Sequence, residues 1–323
     1  MILDISASNT LLWEQSTTAT TAGPKNYLPS YLGYATGKKQ VQPYTFVNKT
    51  ISINPLMEEW ADQTCIAKLC MPQFQFWINS APGANQTIAD GVIGLANANT
   101  TFPQSMYYPV TKDKNFTLSY DPIGTDHIFT LGGLDERYVP VGAETKWAKS
   151  VGAPKWALSV DSATFGQESF DFVKNLPATL SNTIDEFLFP LAFFDRVTNY
   201  FIYLYPLFER KREDFTLYWN NLSGCPNDAP DLLFNVETLV GTTIPITIKA
   251  SSYLRFDAVA CVCYVLFKPA PSDVLLLGDN FFQNYVVSFD SGAAPTNLPR
   301  IGFTDRLRTP IPKSVEELLM EQI

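Results

Sequence analysis

The sequence repeats one short pattern, a strand of large aliphatic residues that ends in glycine, once in each half of the chain. The two copies are Asp90-Gly91-Val92-Ile93-Gly94-Leu95 and Leu275-Leu276-Leu277-Gly278-Asp279. A glycine where a buried strand ends indicates that another stretch of backbone passes close by. Each copy lies downstream of an apolar strand followed by a short polar residue, at Ile2–Ser6 and at Ala178–Thr183. This duplication predicts two related β lobes.

The rest of the chain is typical of a mostly β protein, because short β-type runs bounded by Gly, Pro and Asn recur from end to end. These runs are Phe74–Ile78, Phe116–Tyr120, His127–Leu131, Leu232–Val236, Ile244–Ile248, Val274–Leu277 and Tyr285–Phe289. Two segments predict helices instead. One is Pro190–Tyr205, and the other is the tail Ser314–Gln322, where Ser314 and Glu317 form a capping box.

Composition excludes several classes of protein. The 323 residues are 46% hydrophobic and 17% charged, which predicts a soluble protein with two domains rather than a disordered chain. The net charge of −9 argues against a nucleic-acid partner, and no apolar run reaches the ~18–20 residues that span a bilayer. The single histidine, His127, excludes a Ser/His/Asp triad and a multi-histidine zinc site. We therefore expect carboxylate chemistry, with no metal and no cofactor.

Cysteines and glycosylation sequons favour a secretory route. Cys65 and Cys70 can tie a short loop, while Cys225 can reach either Cys261 or Cys263. Five Asn-x-Ser/Thr sequons fit the same route, although chance alone yields some of them. They begin at Asn48, Asn85, Asn99, Asn115 and Asn221.

A series of short motifs follows a fixed order along the chain: Asp4-Ile5-Ser6, Leu12-Trp13, Tyr34-Ala35-Thr36-Gly37, Asp90–Leu95, Phe129–Asp135, Trp156–Ser162, Leu276–Phe281, Tyr285–Asp290 and Ile301-Gly302-Phe303. This series resembles the pepsin-like aspartic proteases (peptidase family A1) from about Asp4 to Phe303. In that family each lobe supplies one Asp-Thr/Ser-Gly loop, and the first lobe adds a Tyr-Gly-Thr-Gly flap. The resemblance implies an all-β, bilobal pepsin-like fold with few short helices and a peptide-binding cleft between the lobes.

The catalytic pair of that family is incomplete in this sequence. The chemistry needs two carboxylates close enough to share a proton, one acting as base toward water and the other as acid. Asp4 corresponds to the first aspartate. Counting nine residues back from Pro190 puts Ser181 at the second position, and a serine cannot ionise there. The resemblance therefore implies an inactive homologue that binds peptides at most, with Trp13, Tyr34, Thr36 and Gly37 as substrate-binding residues.

Two further readings of the function stay open. An active acid endopeptidase would need Asp4 to work with Asp185 or with Asp290. Asp290-Ser291-Gly292 matches the motif string, but it lies where the family has its closing turn, and no glycine is near Asp185. A secreted structural or decoy protein without a ligand is the third possibility.

The resemblance also implies an organisation for the chain. It predicts a first lobe over residues 1–145, a second lobe over 146–305, and a tail over 306–323 that forms a short surface helix. Only three residues precede Asp4, so the first lobe is expected to lack its first strands. We further expect a monomer in a secreted or lysosome-like compartment.

The family's disulfides suggest particular pairs of cysteines. Cys65 with Cys70 resembles its short-loop disulfide, and Cys225 with Cys261 resembles the long disulfide of its second lobe. Cys263 would be the odd thiol. Strand alternation puts it on the same side as Cys261, so the two could exchange roles.

Overall fold

The computed structural model describes most of the chain after residue 115 and only separate strands before it. The described residues are 2–4, 11–13, 34–40, 44–46, 49–51, 57–66, 69–79, 91–96, 115–120, 128–152, 155–221, 223–292 and 298–307. Side chains are described from Leu95 onward, apart from that of Phe172.

The described residues form two compact units. The first unit comprises residues 1–114, 152–156 and 180–184, and the second comprises 115–151, 157–179 and 185–323. The strands of the first unit are β1 (Ile2–Asp4), β2 (Leu11–Trp13), β3 (Tyr34–Gln40), β4 (Tyr44–Phe46), β5 (Lys49–Ile51), β6 (Met57–Ile66), β7 (Leu69–Asn79) and β8 (Gly91–Gly94).

The later strands belong almost entirely to the second unit. They are β9 (Asn115–Ser119), β10 (Ile128–Leu131), β11 (Lys146–Val151), β12 (Ala157–Phe165), β13 (Glu168–Phe170), β14 (Leu176–Leu180), β15 (Phe187–Phe189), β16 (Glu209–Arg210), β17 (Leu217–Asn220), β18 (Leu232–Glu237), β19 (Thr243–Ile248), β20 (Leu254–Asp257), β21 (Val262–Val265), β22 (Phe267–Pro269), β23 (Leu275–Leu277), β24 (Tyr285–Asp290) and β25 (Arg300–Asp305). The described helices are α1 (Leu191–Leu204), the short α2 (Ala250–Tyr253), and three 3₁₀ turns at Glu136–Tyr138, Asp171–Val173 and Asp279–Gln283.

The same local strand arrangement occurs in both large sheets. The first unit has the order β1-β8-β2-β7-β6-β3, and the main sheet of the second runs β10-β9-β24-β25-β11-β12-β14-β23-β15-β22. In the first, β8 lies between β1 and β2; in the second, β23 lies between β14 and β15. Moreover β2 is antiparallel to β8 and parallel to β7, just as β15 is antiparallel to β23 and parallel to β22. The predicted duplication therefore appears as a repeated topology.

An aromatic core fixes α1 against the main sheet of the second unit. The buried face of this helix carries Phe193, Phe194, Val197, Thr198 and Phe201, which is the 3.6-residue spacing of an amphipathic helix. The ring of Phe193 lies 4.8 Å from that of Phe189 on β15, and Phe189 lies 5.0 Å from Phe267 on β22. This packing fixes β15, and with it the end of the segment that joins β14 to β15.

The structure confirms the mostly β, pepsin-like fold class and most of the predicted segments. Six of the seven predicted β runs fall on β7, β9, β18, β19, β23 and β24, and β10 covers the seventh from Ile128 onward, so His127 lies outside the described residues. The helix expected over Pro190–Tyr205 is α1, with those two residues as its caps. The predicted tail helix lies beyond Leu307, outside the described part of the chain.

The compact units do not coincide with the predicted lobe boundary near Thr145. Residues 115–145 group with the second unit because β9 pairs with both β10 and β24. The lobe boundary itself stays a prediction. Within the described residues, no helix is both long enough and apolar enough to cross a membrane.

Candidate active site

In the first unit, the segment that follows Asp4 joins two strands on either side of β8. Asp4 is the last residue of β1 and lies opposite Gly94 of β8. Residues 5–10 then lead to β2, which ends at Trp13, opposite Asn79 of β7. Tyr34 begins β3, and the ladder between β3 and β6 is irregular between Ala35 and Lys39, where Thr36 and Gly37 lie. The side chains of these predicted site residues lie outside the described part of the structure.

The corresponding segment after β14 carries Ser181. Its backbone follows β14 directly, and six residues, 181–186, lead to β15, as six residues lead from β1 to β2. Ser181 is 3% exposed, and its hydroxyl lies 3.2 Å from that of Thr183. The Thr183 N–H also points at the Ser181 Oγ, at 3.4 Å. A buried hydroxyl in these contacts carries no charge at any ordinary pH.

Within the first unit, Trp156 forms hydrogen bonds to the residues that follow β8 and end β14. Its indole N–H donates a hydrogen bond to the carbonyl of Leu95, 2.8 Å away, just after β8. Its own carbonyl accepts the N–H of Leu180, at 2.9 Å. Trp156 is fully buried, so these bonds connect the end of β8 with the end of β14 in a rigid setting.

Within the second unit, a pair of carboxyl groups lies where β23 ends and β15 begins. Asp185 forms an ion pair with Arg255, 3.2 Å away, and its carbonyl accepts a hydrogen bond from the Asn280 amide at 2.8 Å. Asp279 precedes Asn280 and shares a side-chain hydrogen bond with Asp185. Burial raises the pKa of Asp279 to about 7, and the negative charges of Asp185 and Glu186 add to the rise.

With this raised pKa, Asp279 can hold a proton near neutral pH, which is the property a general acid needs. The sequence pointed to Asp185 but not to Asp279 or Arg255. Asp279 could not be found from the sequence because its place depends on the order of the strands. Since β23 lies between β14 and β15, Asp279, which follows β23, lies close to Asp185, which precedes β15. Across the described residues, no three His, Cys, Asp or Glu side chains are arranged to hold a metal ion.

Asp290 has a different environment from Asp185. It is 1% exposed and lies on β24 opposite Arg300 of β25, whose Nε is 2.8 Å from its carboxylate. The other carboxylate oxygen accepts the N–H of Gly292 at 3.0 Å. The guanidinium of Arg300 also stacks 4.1 Å from the Trp147 ring. Asp290 thus closes the turn after β24, and its charge is paired with that of a partly exposed arginine.

The disulfide of the second unit corrects one sequence prediction. Cys225 is bonded to Cys263, with the Cα atoms 5.2 Å apart, and Cys261 is left as a free thiol, so the expected Cys225–Cys261 bond is wrong. The physical reason is that β21 begins only at Val262 and Cys261 has a φ of 52°, in a left-handed turn. Strand alternation therefore does not extend to Cys261. Cys65 and Cys70 lie opposite each other in the β6–β7 hairpin, which is the register that their predicted bond requires.

Two of the sequon asparagines have described side chains. Asn221 follows β17, where its Oδ1 accepts the Ser223 N–H at 3.1 Å and its amide donates to Gly224. Asn115 lies within the β9–β24 ladder opposite Asp290, and its Oδ1 is buried without a hydrogen-bond partner among the described residues. Asn48, Asn85 and Asn99 lie outside those residues.

A comparison with protein families agrees with this topology. The family model described as eukaryotic aspartyl protease matches residues 59–303, about three quarters of the chain. The chain therefore belongs to the eukaryotic aspartyl protease family. No curated protein matches it.

Proposed function

We propose that this protein is a non-catalytic aspartic-protease homologue that binds peptides in the cleft of its fold without hydrolysing them. The observation that carries the proposal is the state of Ser181, at the position corresponding to the family's second catalytic aspartate. Its hydroxyl is buried and bonded to Thr183. The chemistry of the family needs a second carboxylate at this position to share a proton with the first, and a serine cannot supply one.

Neither alternative carboxylate is a ready substitute. Asp290 is buried and bonded to Arg300 and to the Gly292 N–H, so using it as a catalytic acid would require breaking both contacts. Asp185 is more than half exposed and paired with Arg255. The neighbours differ as well, because Ile5 and Asn182 occupy positions where the family uses threonine hydroxyls to hold the two loops together.

A second candidate, an active acid endopeptidase using Asp4 and Asp185, is favoured by one observation. Asp185 and Asp279 share a hydrogen bond, and the raised pKa of Asp279 supplies a carboxyl that holds its proton up to about pH 7. The third candidate, a secreted structural or decoy protein, predicts that no peptide binds at all.

For its compartment, we propose a secreted or lysosome-like location for a monomeric chain. The Cys225–Cys263 bond supports this location, since disulfides persist in oxidising compartments. Glycosylation at Asn221 would be consistent with the same route.

The proposal is tested by exposing the protein to a defined mixture of synthetic peptides and measuring both retention and cleavage by mass spectrometry. We expect some peptides to be retained and recovered intact between pH 3 and pH 7. Recovery of cleaved peptides, with cleavage lost in the Asp4→Asn variant, would support the endopeptidase instead. Failure to retain any peptide would favour the structural or decoy protein.

A further inference from the structure

Three cysteines lie together at one end of the β17–β21–β20 sheet. The disulfide joins Cys225 to Cys263, and the free thiol of Cys261 lies two residues before Cys263. The Cys261 side chain is half-buried, and its thiol donates a weak hydrogen bond to the carbonyl of Ala258, at 3.6 Å. A free thiol thus lies two residues along the chain from a disulfide, which is the composition needed for thiol–disulfide exchange.

The backbone ties Cys261 to the segment that carries Cys225. The Cys261 carbonyl accepts the N–H of Asn221 at 3.0 Å, and the Asn221 amide in turn donates to the carbonyl of Gly224 at 2.8 Å. Gly224 immediately precedes Cys225. Cys261 and Cys263 are two residues apart, so their Cα atoms are separated by at most about 7 Å.

The turn at Cys261 is also conformationally costly. A φ of 52° is left-handed, a conformation that is strained for a residue with a side chain. The Asp257 carboxylate holds the turn by accepting the N–H groups of Val259 and Ala260, at 2.9 and 3.0 Å. A shift of Cys261 to an extended conformation would relieve the left-handed strain and turn its side chain.

We propose that Cys261 is the resident nucleophile of a disulfide isomerisation. Its thiolate attacks the sulfur of Cys225, the Cys225–Cys261 bond forms, and Cys263 leaves as a thiolate that takes up the proton released by Cys261. The electron balance closes within the three sulfurs, so no external oxidant or reductant takes part.

The exchange would change the lining of a neighbouring cavity of about 630 Å³. This cavity is lined by Phe256 and Asp257 at the end of β20, by Ala258 in the turn that leads to Cys261, and by Tyr264 of β21. Arg255, the partner of Asp185, also lies on its wall. The two disulfide isomers are therefore expected to differ in the shape of this cavity as well as in which thiol is free.

The test is disulfide mapping of the full-length protein, incubated at pH 6 or pH 8, denatured and alkylated with N-ethylmaleimide without reduction. Cleavage before aspartate gives Asp214–Asn227, which contains Cys225, and Asp257–Ser272, which contains both other cysteines. Tandem mass spectrometry of the linked pair then shows which of Cys261 and Cys263 carries the label.

We expect a labelled Cys263 fraction that grows with time and grows faster at pH 8 than at pH 6, since the thiolate is the attacking species. The Cys261→Ser variant is the matched control and should give only the Cys225–Cys263 bond. The Cys263→Ser variant should form Cys225–Cys261 and keep a cooperative thermal transition.

Three results would overturn the proposal. The first is a Cys263→Ser protein that stays folded while Cys225 and Cys261 are both alkylated. The second is wild-type protein in which only Cys261 is labelled after a day at pH 8. The third is a labelled Cys225 with a Cys261–Cys263 bond, because attack would then occur at the other sulfur.

Discussion

Replacement of Asp279 by asparagine should make the protein more stable at neutral and alkaline pH. Asp279 is half-buried, carries a pKa of about 7, and faces the negative charges of Asp185 and Glu186. Because its folded-state pKa is raised above the unfolded value of 3.8, the folded protein binds the extra proton between pH 4 and pH 7. The contribution of Asp279 to the free energy of unfolding therefore falls as the pH rises from 4 to 7, and it does not change further above pH 7.

The magnitude follows from the shift in pKa. A rise from 3.8 to about 7 corresponds to at most ~4 kcal/mol at 1.36 kcal/mol per pH unit. Solvent screens the exposed part of the carboxyl, so we expect ~2–3 kcal/mol. An asparagine amide can donate to Asp185 as the protonated acid does, and it does not ionise. The variant and wild type should have the same stability near pH 4, and the variant should gain ~2–3 kcal/mol by pH 8.

Urea denaturation at half-unit steps from pH 4 to pH 8, with wild type and variant side by side, measures this difference. Asp273→Asn, at an exposed position of the same unit, is the matched control and should shift the curve little at any pH. A constant offset between wild type and Asp279→Asn across this range would refute the reasoning, since it would mean that Asp279 keeps an ordinary pKa in the folded state.

Three further predictions concern the Asp290–Arg300 ion pair, the aromatic core and the sequons. Arg300→Gln removes the cation that faces the buried Asp290 carboxylate, which keeps the Gly292 N–H, and should lower the free energy of unfolding by ~2–3 kcal/mol, with Asp290→Asn in the same chain restoring most of the loss; a loss below 1 kcal/mol in urea would contradict this. Phe193→Ala removes a fully buried ring and should cost ~3–5 kcal/mol, whereas an unchanged urea midpoint would show that the α1 packing is wrong. Protein secreted from a eukaryotic host should carry a glycan at Asn221 and none at Asn115, where the side-chain oxygen is buried; intact glycopeptides at Asn115 would disprove the β9 placement.

The sequence predicted those parts of the fold that depend on local spacing. The helix Leu191–Leu204 follows from its apolar periodicity after Pro190, and the strands follow from β-branched runs bounded by turn residues. The repeated Gly94 and Gly278 strand ends predicted the duplication, which is visible as β8 and β23 in equivalent places.

Other features depend on contacts between distant residues and could not be derived from local spacing. Cys225 pairs with Cys263 because Cys261 has a left-handed backbone conformation, whereas the sequence alone suggests an extended strand at Cys261. The link between Asp185 and Asp279 arises because β23, which begins 88 residues after the start of β15, pairs with β15 in the same sheet. The grouping of residues 115–145 with the second unit likewise depends on pairing with β24.

The most direct test of the central claim is an assay of denatured haemoglobin hydrolysis between pH 2 and pH 6, with and without pepstatin. Wild type and Asp4→Asn are compared, and a Ser181→Asp variant tests the position that decides the proposal. We expect no pepstatin-sensitive hydrolysis by the wild type at any pH, and no difference from Asp4→Asn. Hydrolysis by the wild type that pepstatin blocks and that Asp4→Asn abolishes would contradict the account and establish an active enzyme.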